Sequence, residues 1–252
     1  MYTNESIGAL LHTPLRLLIE DSVDSTNNLL RTMAESGAAE GTVLLAREQT
    51  AGRGRLGHSF FSPKDTGVYM SILLRPTIPV TDALRITTAA AVAAAEATEA
   101  VADVSAQIKW VNDIFCNDKK VCGILTEGKP AQDGRFQYVI VGIGINLHAP
   151  NSGFPAEIAD IAGAVTDSGD VQSRWIAACL DRFIAYYRNL QNGEILHRYR
   201  ERSYLQGKVV RVLNSENIHG EVIGIDDDFR LLVRTENGIL SLDSGEVRVR
   251  PI

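Results

Sequence analysis

The sequence predicts an α+β fold with a mixed, largely antiparallel sheet, followed by a small C-terminal β-barrel. Three observations lead there. Apolar or alternating segments between residues 106 and 148 are separated by tight-turn residues, as in antiparallel strands. Residues 81–102 and 171–205 carry apolar or alanine residues at helical spacing. After Gly207 the period drops to two, in five short segments over about 45 residues, which is the pattern of a small barrel. The expected division is therefore 1–206 and 207–252.

Each element follows from local chemistry. LRLLIE (15–20) reads as a strand. Asp24, Ser25 and Thr26 offer N-caps for a short helix from Asn27 to about Ser36, closed by Gly37. TVLLAREQ (42–49) and GVYMSILLRP (67–76) are strands, the second stopped by Pro76. Between them, 51–67 is glycine-rich and without periodicity, hence a loop. Thr81 and Asp82 open the alanine-rich helix to Ala102. AQIKW, DIFCN and KVCGILTEG form hairpins, the second turning at Asn117-Asp118. FQYVIVGIGINLH (136–148) is a buried strand, and 150–170 a loop-rich crossing. Val171 to Leu205 makes two helices broken near Asn192-Gly193. KVVRVL, HGEVIGI, RLLVRT, GILSL and EVRVR are the barrel strands.

Composition narrows the function. Lys+Arg 25 against Asp+Glu 31 gives a net charge of −6, which argues against a general nucleic-acid binder. With 45% hydrophobic and 22% charged residues, wholesale disorder is excluded. The longest strictly apolar run, Ala89 to Ala95, is far below the ~20 residues of a membrane span. The first residues lack the charge and apolar core of a secretory signal. Three cysteines fit free thiols in a reducing cytoplasm, and the C-x5-C pair lacks the partners of a zinc site.

Four segments carry candidate chemistry. GRGRLG (52–57) formally matches a dinucleotide fingerprint, but the following HSFFSP is no helix start, so that reading fails. The loop is nonetheless basic: Arg47, Arg53, Arg55 and Lys64 against Glu48 give +3. Glycines admit close approach and arginines fork onto anions, so this is expected to be a mobile loop that orders over an anion. In IKWVNDIFCNDKKVCGIL (108–125), charges crowd among strand residues, where they either lie on an outward, solvated hairpin face or are paired or face a ligand; their density favours the latter. Gly142 and Gly144 weaken a buried strand, so they either admit something close to the backbone or mark a bulge or tight packing against a helix. DSTNN (24–28) either caps a helix or presents hydroxyls to a small polar ligand.

DSTNN, EQTAGRGRLGHSFFSP, GVYMSILLRP, IKWVNDIFCNDKKVCGILTE and VIVGIGINL, in this order, resemble biotin protein ligases over nearly the whole chain. The resemblance implies a catalytic domain akin to class II aminoacyl-tRNA synthetases, plus an SH3-like C-terminal domain. It implies a two-step reaction: biotin and ATP give biotinyl-5′-AMP and pyrophosphate, then a lysine of a biotin carboxyl carrier protein domain takes the biotin. ATP with Mg²⁺ is co-substrate, and no tightly bound cofactor is expected. By position, Ser25, Thr26, Asn27, Gln49, Gly52 and Gly123 fall in the biotin-contacting set. Arg53 and Arg55 sit in the loop closing over biotin and the adenylate. Lys120 matches the lysine that approaches the biotin carboxylate and α-phosphate, with Arg55 and Asp113 completing the catalytic set. Phe60, Lys109, Asn112 and Asn146 fall on the ATP and adenylate side, and Asp113 is the implied Mg²⁺ ligand.

Two positions depart from the family pattern: Val111 stands where proline is usual, and Phe60 where tryptophan is frequent. About 20 residues precede Ser25, too few for the DNA-binding unit some relatives carry, so no operator binding and no membrane partner are expected. The competing readings are a lipoate or octanoyl protein ligase and a non-enzymatic biotin-binding adaptor. The arginine-glycine loop and G-I-G-I-N favour biotin.

Overall fold

The computed structural model describes residues 1–166, 169–213, 218–243 and 248–251. Seven strands form one mixed sheet: β1 (Arg16–Glu20), β2 (Thr42–Ala46), β3 (Gly67–Leu74), β4 (Gln107–Lys109), β5 (Asp113–Cys116), β6 (Lys119–Pro130) and β7 (Phe136–Asn146). Their order is β1-β2-β3-β7-β6-β5-β4, and β1–β2 is the parallel pair. β3 is an interior strand between β2 and β7 and is buried at every residue, which is why its sequence runs apolar instead of alternating.

The two faces of the sheet are covered differently. On one lie α3 (Ala83–Val101) and α4 (Gln172–Tyr187). The buried alanines of α3 let its backbone approach its neighbours closely. The other face carries α2 (Thr26–Glu35), which buries Leu30 and Ala34 against Leu44, Leu73 and Ile140. Beyond the N-terminal end of α2, loop 49–62 covers that face instead.

Most expected elements are present. The long helix begins at Ala83 after a 3-10 turn at Val80–Asp82. The helical break falls where expected: Asn192 caps α5 (Gly193–Glu201) by accepting from the Glu194 N–H. Asn117 and Asp118 both have positive φ, 49° and 58°, as a two-residue hairpin turn requires. Loop 51–67 is irregular apart from a single 3-10 turn at Arg55–Gly57, so no helix follows the glycines. Two details differ. A short helix α1 (Asn4–Gly8) opens the chain, held by a reciprocal Thr3–Ser6 capping box. Ser25 occupies the N-cap position of α2, but its side chain makes no capping hydrogen bond.

The C-terminal segment forms a separate antiparallel sheet in the order β11-β10-β9-β8-β12. Its strands are β8 (Val209–Leu213), β9 (Ile218–Ile225), β10 (Leu231–Thr235), β11 (Gly238–Leu242) and β12 (Arg248–Pro251). The expected strand EVRVR begins outside the described residues. Among the described residues β11 and β12 do not pair, so the sheet is open where a barrel was expected. A bulge at Leu232/Val233 bends it without bringing its edge strands together. Phe229 joins the two sheets: its carbonyl accepts the Trp110 Nε1–H at 2.9 Å, and its ring meets Tyr199 edge-on. No helix among the described residues is long and apolar enough to cross a membrane.

Candidate functional site

The site is built on the face that α2 leaves uncovered. Sheet register places Tyr69, Gly144, Gly123 and Asp113 in one row, and Ser71, Gly142 and Leu125 in the next. Three glycines thus make a floor without side chains. A Cβ on Gly142 would lie 2.2 Å from Asn27 Oδ1, and one on Gly144 would lie 2.6 Å from the Phe60 ring. A Cβ on Gly123 would meet the same ring at 3.3 Å and Lys120 Cε at 3.4 Å. The glycines expected to admit a close neighbour admit Asn27 and the loop's own phenylalanine.

One end of this floor is a continuous hydrogen-bonded chain. Gln49 Oε1 accepts from the Thr26 backbone N–H at 2.9 Å and from its hydroxyl at 3.1 Å, while Gln49 Nε2 donates to Ser62 Oγ at 2.9 Å. Ser71 Oγ lies 2.7 Å from Thr26 Oγ1 and donates to Asn27 Oδ1 at 2.6 Å. Asn27 Nδ2 donates to Glu127 Oε2 at 2.8 Å. Arg53 forks onto both oxygens of Glu127, each at 2.9 Å, and Arg31 adds a third contact at 2.8 Å. Ser25, Thr26, Asn27, Ser62 and Ser71 are buried, so that stretch of the chain is screened from water, while its arginine end is partly exposed. Gly52 brings the loop onto itself: the Phe60 N–H donates to its carbonyl at 2.8 Å, leaving no room for a Cβ.

The other end is charged. Lys120 Nζ lies 2.7 Å from Asp113 Oδ1, which also accepts from Asn112 Nδ2 at 3.1 Å. Arg55 Nη1 donates to Asn112 Oδ1 at 3.2 Å. Burial holds the Arg55 pKa below its ordinary value, against the smaller opposing pull of the Asp113 carboxylate. Asn112 Nδ2 also donates to the Ile124 carbonyl, so the turn after the cis Trp110–Val111 peptide is tied to β6. Lys109 stands opposite Asp113 in the strand register, its ammonium 5.6 Å from the Phe115 ring. Asn146, at the end of β7, donates to the Gly163 carbonyl at 3.2 Å. Segment 158–163 runs beside Lys120, whose backbone pairs with Ile161 and Gly163.

The residues marked in the sequence therefore converge on one face, in two groups. Arg53 and Arg55, two residues apart, point to opposite ends: Arg53 joins Glu127, and Arg55 joins Asn112. The helix-capping reading of Ser25 and Thr26 gives way, since the Thr26 hydroxyl is engaged by Gln49 and Ser71. The sequence reading missed Ser71, Ser62, Tyr69 and Glu127. Ser71 had a signal, a lone hydroxyl in an otherwise apolar buried strand; the other three had none. A cavity of about 230 Å³ lies behind β6, against the start of α3, and shares Arg55 with the site. The glycine floor itself is filled by Asn27 and Phe60. Among the described residues no group of three or more His, Cys, Asp or Glu side chains could hold a metal by itself. Asp113 offers one carboxylate, which suits a Mg²⁺ ion held mainly by nucleotide phosphates.

Comparison with known proteins covers most of the chain. Residues 20–146 match the model of the biotin/lipoate A/B protein ligase family, and residues 206–250 match the biotin protein ligase C-terminal domain. The chain is 35% identical over 243 residues to the bifunctional ligase/repressor BirA of Bacillus subtilis, covering 92% of this chain and 74% of that one. It is 31% identical over 233 residues to the biotin–[acetyl-CoA-carboxylase] ligase of Mycobacterium tuberculosis, covering 88% and 85% of the two chains. Among solved structures it is similar to the biotin protein ligase of Aquifex aeolicus in complex with biotin and ATP, with a TM-score of 0.80, 29% identity and coverage of 94% and 99%. By the family match and the identity to these relatives, the chain belongs to the biotin/lipoate A/B protein ligase family.

Proposed function

We propose that this protein is an ATP-dependent biotin protein ligase, an enzyme that forms biotinyl-5′-AMP and transfers biotin to a lysine of a biotin carboxyl carrier protein domain. The observation that carries the reading is the two-ended face: neutral donors and acceptors around Thr26 and Gln49 at one end, and the Arg55–Asn112–Asp113–Lys120 group at the other. The first end suits a ureido ring and the second an acyl phosphate. The C-terminal match supports biotin over lipoate.

In the first step a biotin carboxylate oxygen attacks the α-phosphorus of ATP and pyrophosphate leaves. Both reactants are anionic, so Lys120 and Arg55 offset their repulsion. Mg²⁺, held by Asp113 and the nucleotide, would neutralise further phosphate charge. In the second step the carrier's lysine amine attacks the acyl carbon, AMP leaves, and the amine loses a proton. Asn112, Asn146, Lys109 and Phe60 line the nucleotide side, while Ser25, Thr26, Asn27, Gln49, Gly52 and Gly123 line the biotin side. Loop 49–62 excludes water from the labile adenylate. The reading extends to a class II synthetase-like catalytic domain over 1–206, an SH3-like domain over 207–252 and action in the cytoplasm.

The test is to supply biotin, MgATP and an acceptor carrier domain, and to follow pyrophosphate and carrier mass. Biotin-dependent pyrophosphate release with a mass gain on one carrier lysine is expected. Carrier labelling with lipoate alone, or binding of biotin without pyrophosphate release, defeats the proposal.

A further inference from the structure

We infer that Glu127 is a positioning residue of this site, fixing the orientation of the Asn27 amide and anchoring the arginine-glycine loop through Arg53. The inference rests on the biotin-ligase reading and adds to it a residue with no role assigned so far. Glu127 lies on β6, on the same face as the glycine floor, with its side chain 23% exposed. Its two oxygens receive four hydrogen bonds: from Arg53 Nη1 and Nη2, Arg31 Nη2 and Asn27 Nδ2. The donors come from the second turn of α2, from its first residues and from the loop. One carboxylate on β6 thus ties α2 and the loop to that strand.

The consequence is directional. An ionised carboxylate only accepts, so Asn27 must turn its NH₂ toward Glu127 and the Leu125 carbonyl. Its Oδ1 then faces Ser71 and takes that residue's single hydroxyl proton. Thr26, 2.7 Å away, is left with its own proton for Ser71 or Gln49, and with lone pairs to offer. The charge on Glu127 therefore makes the hydroxyl pair an acceptor for a ligand N–H. A neutral side chain at 127 removes the stronger of the two acceptors that hold the Asn27 amide, leaving only the 3.3 Å contact to the Leu125 carbonyl against its turning over, and a turned amide reverses that preference. The fork to Arg53 acts at the same end: it pins the loop over the floor while Arg55, at the far end, stays with Asn112.

Steady-state pyrophosphate release, with biotin and MgATP varied in turn, tests this on Glu127→Gln, Arg53→Met and the double variant. A charge-assisted fork and a fixed amide are each strong enough that Glu127→Gln should raise the biotin KM by about tenfold or more. The ATP KM and the kcat at saturating biotin should stay within about threefold, since the Lys120 end is untouched. Arg53→Met should also raise the biotin KM, and adding it to Glu127→Gln should raise it less than the product of the two single effects. A purely structural role predicts the opposite split, with lower kcat from less folded enzyme and unchanged biotin KM. That result, or an unchanged biotin KM in Arg53→Met should Glu127→Gln fail to fold, overturns the inference. Inactivity of the wild-type protein with biotin and MgATP counts instead against the ligase reading itself.

Discussion

Gly142→Ala is the sharpest probe of the floor. The added Cβ would sit 2.2 Å from Asn27 Oδ1, 2.9 Å from its Cγ and 3.1 Å from its Nδ2, so the whole amide must move. Asn27 cannot swing into solvent: it is 3% exposed and held by Ser71 at 2.6 Å, Glu127 at 2.8 Å and the Leu125 carbonyl at 3.3 Å. Breaking the two shorter contacts costs about 1 kcal/mol for the neutral one and about 2 for the one to a carboxylate. Some of that returns as the groups find new partners, while overpacking adds about 1 kcal/mol or more. A net loss of about 3 kcal/mol corresponds to roughly 6–12 °C in Tm for a chain this long. Gly144→Ala is the built-in control. Its Cβ meets the Phe60 ring at 2.6 Å, but Phe60 belongs to a loop and can lift away, so that variant should lose less than about 1 kcal/mol. Thermal unfolding of both variants, paired with calorimetric titration of biotin, provides the comparison. Gly142→Ala should bind biotin at least about tenfold more weakly. If it melts within about 1 °C of wild type and binds biotin equally well, Asn27 is not locked as described and the reasoning is wrong.

Further expectations concern the charged end and the thiols. Lys120→Ala should slow pyrophosphate release far more than it weakens biotin binding, because the ammonium paired with Asp113 counts most at the phosphate; equal losses in both would contradict that role. Arg55→Ala removes the tether to Asn112 and should speed loss of the adenylate from the enzyme, read as the decay of bound biotinyl-5′-AMP; an unchanged half-life argues against a lid. All three cysteines are buried, and burial pushes Cys116 up from 9.0 to about 11, so the native protein should resist a thiol reagent at pH 8 and expose three thiols on unfolding. The same shift has a sign in stability. The folded state holds the neutral thiol, so its contribution is complete below pH 9 and is lost progressively as pH rises to about 11; a Tm that climbs across that window contradicts the burial.

The order and type of the elements lay in the sequence because they answer to short-range chemistry. Apolar period, the Asn192-Gly193 break and the Asn117-Asp118 turn act within a few residues of themselves, and each appears where the pattern puts it. The residues that gather on the glycine-floored face were marked in the sequence too, because motifs such as K-W-V-N-D and the arginine-glycine loop are contiguous. How the two loop arginines divide was not. Arg53 and Arg55 are near neighbours with the same charge, and nothing local says that one turns to Glu127 and the other to Asn112. Nor could local pattern show that Phe60 rests on Gly144, or that Ser71 joins Thr26 to Asn27. Asn27 and Glu127 are 100 positions apart, and they meet only because β6 pairs with β7 while α2 crosses the same face. Sheet register and helix packing are set by the burial of the whole core, so the contacts that aim the polar groups exist only once that core has formed.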